Sequence, residues 1–278
     1  MRWKVVRQQK LVEFLQEHLD PVPSGKALRK ALEANACRVN GVVERFGSAT
    51  VRPGAVVELA DDWNKAAPKQ KILVLFEDEH LLIANKPPGW VCTDDLCKKT
   101  FGRNTALIHR LDKDTSGLLL VAKTESTRLS MIDQFKAHSV EKWYLALVDG
   151  VVKQDHGVRE SFLTKVGAFQ GQTRYGSRAR GQHAKTVWQV LARGKTATLV
   201  LCQPVTGRTH QLRVHLAEMG HPILGDRQYA ERFRCGYFAG RVLLHATRLK
   251  FKHPVSGELV DLEVKPPGDF EAAVKTVT

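Results

Sequence analysis

"HRLDKDTSGLLLVAKT", residues 109–124, changes character half-way. Apart from Leu111 its first eight residues are polar or charged, and from Gly117 they give way to the apolar run "LLLVA". A short continuous apolar run bounded by turn formers reads as a strand buried on both faces. Asp114, Thr115 and Ser116 form turns readily and Gly117 permits a positive φ, so these four are expected to shape the entry to that strand. Asp112 stands apart from them. Arg110 and Lys113 flank it and His109 is near, and basic surroundings favour the ionised form of a carboxylate. An ionised carboxylate at the lip of a buried strand suits a nucleophile. "DKDTSG" also matches the opening of a calcium loop. The twelfth position of that loop must be a bidentate Glu and here it is Lys123, while its second half would be buried strand, so no metal is expected.

Strand-like segments lie on both sides. "ILVLFED" and "HLLIANKP" precede it, with the turn "KPPGW" after them. A helix follows it, with Leu129, Ile132 and Phe135 on one face. "KWYLALVDG", "KTVWQVLA", "TATLVLCQP" and "GRVLLHATRLKFKHP" read as further strands, and "RTHQLRVHLAEMG" as a helix that Gly220 ends. Strand runs with isolated helices predict an α+β domain, residues 72–278, built on a mixed, mainly antiparallel sheet. Residues 1–60 read as a small α/β module: a short amphipathic helix at "KLVEFLQEHL", a second at "GKALRKALEAN" capped by Ser24, a hairpin around Asn40-Gly41, and a strand pair "ATV"/"AVVEL" around Pro53-Gly54. Residues 61–71, "DDWNKAAPKQK", read as a linker.

The chain of 278 residues carries a net charge of +14 with 43 Lys and Arg against 29 Asp and Glu, which points to a polyanionic partner. Residues 161–217 contain no acid and nine basic groups, among them Arg174, Lys185, Arg208 and Arg213. A solvated face mixes signs; a one-sign stretch holds phosphates. In residues 1–60, Lys26, Arg29 and Lys30 recur at helical spacing, a basic helix face of the same kind. Gly207 precedes a helix start where free N–H groups favour anions, with Arg208 and Arg213 adding charge, and His210 and His215 are too far apart around a helix to share a metal as i, i+4 ligands do. No glycine-rich nucleotide loop is present, so no cofactor is expected. Five scattered cysteines without a CxxC argue for reduced thiols in a cytoplasm, and nothing in the sequence suggests export or a membrane span.

Taken together, "HRLDKDTSGLLLVAKT", "KWYLALV" (142–148), "TGRTHQLRVHLAEMGHPILGDRQY" (206–229), "LLHA" (243–246) and the turn "NKPPGWV" (85–91) resemble, in order, the motifs of RluA-type pseudouridine synthases. Residues 1–60 resemble the RNA-binding module that often precedes that domain. The resemblance implies a cofactor-free isomerase that converts uridine to pseudouridine in ribosomal or transfer RNA. It implies Asp112 as the catalytic carboxylate, Tyr144 against the target base and Arg208 as the cation paired with Asp112. Arg110 would hold the RNA with its base flipped out, and His210, Arg213, Lys26, Arg29 and Lys30 would contact RNA. A monomer without an obligatory protein partner is expected. The rival readings are a non-catalytic RNA-binding or ribosome-assembly protein and a metal-dependent nuclease.

Overall fold

The computed structural model describes residues 1–33, 36–64, 72–169, 172–230 and 232–278. The chain divides into two compact units, one of residues 1–70 with 168–172, the other of 71–167 with 173–278.

The first unit runs β1 (Arg2–Lys4), β2 (Gln9–Lys10), α1 (Leu11–His18), α2 (Gly25–Glu33), β3 (Cys37–Val39), β4 (Val42–Val43), β5 (Thr50–Val51) and β6 (Val56–Leu59). Ser24 caps α2 by accepting from the Ala27 N–H at 3.2 Å. Asn40 and Gly41 both take positive φ, 54° and 77°, as a two-residue hairpin turn requires. The segments around Pro53-Gly54 do not pair with each other: β5 pairs with β2, whereas β6 lies between β1 and β3. The "RWK" segment, with no alternation to mark it, supplies the edge strand β1. Leu11, Phe14, Leu15, Leu28 and Leu32 turn inward on a core that Trp63 joins, so packing of this unit continues past residue 60. Residues 61–64 form a turn; the rest of the expected linker, 65–71, lies outside the described residues. Lys26, Arg29 and Lys30 are all exposed, opposite the buried Leu28 and Leu32.

The second unit runs β7 (Leu73–Glu77), β8 (Leu81–Lys86), α3 (Asp94–Phe101), β9 (Ala106–Leu107), β10 (Ser116–Ala122), α4 (Glu125–Lys136), β11 (Glu141–Asp149), β12 (His156–Phe169), β13 (Gln172–Ser177), β14 (Gln182–Arg193), β15 (Ala197–Pro204), α5 (Gln211–Glu218), β16 (Leu244–Lys252), β17 (Leu259–Glu263) and α6 (Gly268–Val277). Among the described residues these strands form one sheet in the order β13-β12-β14-β15-β11-β16-β10-β8-β7, with β9 beside β10 and β17 beside β16. Among the described pairings only β10–β16 is parallel, so the sheet is mixed and mainly antiparallel. Every residue of β10 is buried. Leu118 and Leu120 enter one core with Met131 and Phe251; Leu119 and Val121 enter another with Cys97 and Leu111. Burial on both faces is why this strand is apolar without alternation.

The apolar stripe of helix α4 is not the face that it buries most deeply. Thr127 and Met131 are its buried residues and Leu129 is exposed. Ile132 and Phe135 are only half-buried and line an open cleft instead. Counting apolar positions finds the apolar stripe but not what the stripe faces.

Gly117 is where β10 comes closest to β16. Its φ is +111°, and a Cβ there would stand 2.2 Å from the Ala246 carbonyl oxygen. Gly117→Ala is expected to destabilise the unit by at least about 3 kcal/mol, since backbone must part to admit the methyl. An unchanged urea midpoint would contradict this packing.

His215 and His245 are fully buried, and burial pushes both down to about 4. Both bond neutral partners: Thr186 and Ser161 for His215, Ser116 and the Val264 carbonyl for His245. The unfolded chain takes up protons near pH 6.5 and the folded chain does not, so stability present above that pH is lost as pH falls from 6.5 towards 4. At pH 5 each should remove at most about 2 kcal/mol, and His215→Gln should shrink the pH 7-to-5 difference in unfolding free energy.

Candidate active site

Asp112 opens the turn that leads into β10, its carbonyl accepting from the Thr115 N–H at 3.1 Å. Several groups fasten this turn. Lys86, fully buried, donates from Nζ to the carbonyls of Lys113, Pro87 and Trp90 at 3.0, 3.0 and 2.9 Å, and Gly89 N–H reaches the Lys113 carbonyl as well. Arg241, held by both oxygens of Asp269, donates to the Asp114 carbonyl at 3.1 Å. His109 accepts from the Leu120 N–H and stacks on Phe135; burial pushes it down to about 3, so it is neutral. "NKPPGW" and "HRLDKD" therefore meet because a buried lysine uses carbonyls of both.

The register of β16 brings the tyrosine to the same place. Ala246 pairs with Gly117 on one side and Tyr144 on the other, so Tyr144 faces the Asp112 turn across one small residue. Burial, and then the charge of Asp112, raise the Tyr144 phenol well above its ordinary range, so it stays protonated.

A cation stands against Asp112, and it is Arg213, not Arg208. Arg213 Nη1 donates to Asp112 Oδ2 at 3.2 Å. The rest of its guanidinium is fixed from behind: Nε and Nη2 bond the two oxygens of buried Asp226 at 2.7 and 2.9 Å, and Nη2 bonds Gln228 Oε1 at 2.8 Å. The Tyr229 ring lies 5.0 Å from its centre. Burial opposes the charge of Arg213, but the bonds to Asp226 and the charges of Asp226 and Asp112 outweigh it and raise its affinity for the proton. Arg208 misses Asp112 because the helix starts later than expected. α5 begins at Gln211, with His210 in the left-handed region at φ 57°, and Arg208 sits in the preceding turn, donating from Nε to the His183 carbonyl.

His210 completes the group. The Tyr175 N–H donates to the Tyr229 hydroxyl at 3.0 Å, and that hydroxyl bonds His210 Nδ1 at 2.8 Å. With the phenol O–H donating to Nδ1, the ring N–H is at Nε2, 3.9 Å from Asp112 Oδ2. Burial lowers the His210 imidazole, which favours its neutral form. Asp112, Tyr144, Arg208, His210 and Arg213 all line a cleft of about 1100 Å³, with Arg110 exposed at its rim. Lys26, Arg29 and Lys30 belong to the other unit.

The sequence reading passed over Asp226, Gln228 and Lys86. One signal for the first was present: Arg213 interrupts the apolar stretch "LRVHL", and a charge buried there needs a counter-charge, which "GDRQY" carries.

A sequence model of the RNA pseudouridylate synthase family matches residues 80–218, from β8 to the end of α5. The chain belongs to this family. It is 34% identical to ribosomal large subunit pseudouridine synthase C of Escherichia coli strain K12, over 92% of this chain and 88% of that protein. It is also 34% identical to ribosomal large subunit pseudouridine synthase D of Zymomonas mobilis, over 73% of this chain and 71% of that protein. Among solved structures, human RNA pseudouridylate synthase domain containing 1 superposes with a TM-score of 0.60 at 27% identity, covering 73% of this chain and 86% of that one. The chain is thus an RNA pseudouridine synthase, an isomerase, as the ordered motifs led one to expect, and the reading as a non-catalytic binding protein falls away.

Proposed function

We propose that this chain isomerises specific uridines of ribosomal RNA to pseudouridine, with Asp112 as the catalytic carboxylate. The observation that carries the role of Asp112 is its pairing geometry. Oδ2 is engaged by Arg213, among the described residues Oδ1 accepts no hydrogen bond, and Asp112 lines the cleft together with Tyr144, so one oxygen is fixed and the other is left free to react. The choice of ribosomal RNA rests on the named targets of the similar synthases, with transfer RNA as the second candidate.

The reaction breaks the bond between ribose and uracil N1 and rejoins the same sugar to carbon 5. It balances without redox change or group transfer, which supports a cofactor-free mechanism. Asp112 would attack the anomeric carbon or the ring, or remove a sugar proton. Arg213 aligns it through a charge-assisted bond. Tyr144 gives the flipped base a flat wall, and unstacking that base costs a few kcal/mol, which phosphate contacts must offset. Five buried unpaired cysteines suit a reducing cytoplasm, and action as a monomer belongs to the same reading.

The test is to map pseudouridine in ribosomal and transfer RNA from cells with and without this protein, then to restore the lost sites with the purified chain in excess chelator. A complete set of pseudouridines in the deleted cells would sink the proposal. For the first unit we expect a binding role: Lys26→Gln/Arg29→Gln/Lys30→Gln should flatten the salt dependence of ribosomal RNA binding by about 2 to 3 in log–log slope. An unchanged slope would remove that helix from the RNA interface.

A further inference from the structure

The wall of the cleft facing Asp112 is made by α4 and by β11, and it holds a lysine that the isomerisation chemistry leaves unused. Lys142 is 8% exposed, yet it lines the cleft, with Nζ 5.2 Å from the centre of the Phe135 ring. The other cations on this wall have their own carboxylates. Arg128 bonds both oxygens of Glu125 at 2.7 and 2.6 Å, and Lys136 reaches Asp133 at 3.1 Å. Glu141, next to Lys142 in the chain, faces Lys250 at 3.4 Å instead. Among the described residues, Lys142 has no carboxylate within ion-pairing distance and no hydrogen-bond acceptor for its ammonium.

Most of the Lys142 side chain is buried while its ammonium opens on the cleft without a partner, and a cation stripped of part of its water gains from an anion placed beside it. Burial has pushed Lys142 down to about 8, so at neutral pH it still carries most of its charge. Nothing in the core is stabilised by that charge; the cation–π contact with Phe135 offsets only part of the desolvation. What would balance it is an anion entering the cleft. An uncharged uracil oxygen is a poor match, whereas a phosphate brings a full charge, and a compact ammonium suits a phosphate oxygen.

We propose that Lys142 anchors a phosphate subsite in the cleft, holding a backbone phosphate of the RNA strand within a few nucleotides of the flipped uridine. This rests on the reading that the chain acts on RNA. Ile132 and Phe135 beside it are half-buried and give the cleft an apolar shelf for the attached sugar, Phe135 packing at the same time against the core around Met131. Lys142 is then a binding residue, not a reacting group.

The test uses the full chain and a short RNA substrate in which single phosphates near the target uridine are replaced, one at a time, by uncharged methylphosphonates. One replacement should weaken binding to the native chain about tenfold, as expected for loss of a charge-assisted contact. Lys142→Met should weaken binding to the unmodified RNA by a similar factor and lower the log–log salt slope by about one. The two losses should not add: Lys142→Met should be indifferent to that one methylphosphonate and remain sensitive to others. Its loss should appear in KM more than in kcat. If the losses add at every position, Lys142 holds no backbone phosphate. If instead millimolar inorganic phosphate raises the melting temperature of the native chain and not of the variant, with no coupling to RNA, the subsite takes free phosphate and the RNA assignment falls. Should Lys142→Met fail to fold, Lys142→Gln replaces it, and the scan on the native chain still decides: no sensitive phosphate overturns the proposal. A chain that isomerises no uridine would refute the functional reading itself, whereas full activity with additive losses refutes only the subsite.

Discussion

Asp112→Asn should lower uridine isomerisation by at least about 10⁴-fold, the scale seen when a residue central to bond-making is removed. The amide keeps the size of the side chain and its oxygen can still accept from Arg213 Nη1. What it loses is the negative charge and with it both nucleophilicity and basicity, so each of the three possible roles of Asp112 fails together. Folding should be nearly unaffected, because the Asp112 side chain is 31% exposed and leaves no deeply buried partner unpaired. Affinity for RNA should hold or rise slightly, since a negative charge leaves a basic cleft. Asp114→Asn is the control within the same turn. The Asp114 atom that Arg241 grips is the backbone carbonyl, which the substitution does not touch. An Asp112→Asn enzyme with more than a trace of activity would show that another group does the chemistry.

The parts of this protein legible in its sequence are those where one local rule governs. "SGLLLVA" reads as a central strand because burial on both faces leaves no room for polar alternation, and the Asn40-Gly41 hairpin because few residues adopt two positive φ values in a row. The errors came where a residue's partner is remote in sequence. The stripe on α4 was visible, but whether Ile132 and Phe135 face the core or a cleft depends on a strand, β11, that comes later. The pair strand of β5 is β2, forty residues upstream, and not the neighbour across Pro53-Gly54. The cation on Asp112 turned on the helix boundary. With α5 starting at Arg208 either arginine could be argued; a left-handed His210 delays it to Gln211 and decides for Arg213. Lys86 was quoted within the "NKPPGWV" turn, yet its work of tying that turn to Asp112 through carbonyls has no side-chain signature at all.

Arg213→Met is the substitution from which we expect losses of both fold and function. Arg213 is shared between two carboxylates of different kinds: Asp226 is 1% exposed and bound through two bonds, Asp112 is reached by one. Removing the guanidinium takes from the buried Asp226 carboxylate both of its side-chain hydrogen bonds among the described residues, a loss of about 3 to 5 kcal/mol. Activity should fall as well, because Asp112 loses the contact that aligns it. Stability and catalysis can be separated by adding Asp226→Asn. The double variant has no buried charge to strand and should recover much of the stability, while its turnover stays low. Arg213→Lys should behave like the methionine variant in turnover, since one ammonium cannot supply the planar fork that spans both carboxylates. Arg208→Met is the contrast. Its guanidinium bonds one backbone carbonyl at a half-exposed site, so we expect a change of no more than about 0.5 kcal/mol in stability and turnover close to native at saturating RNA. The decisive measurement is the ratio of the two turnover numbers on one RNA: an Arg208→Met enzyme slower than Arg213→Met would return the pairing to Arg208 and undo the site described above.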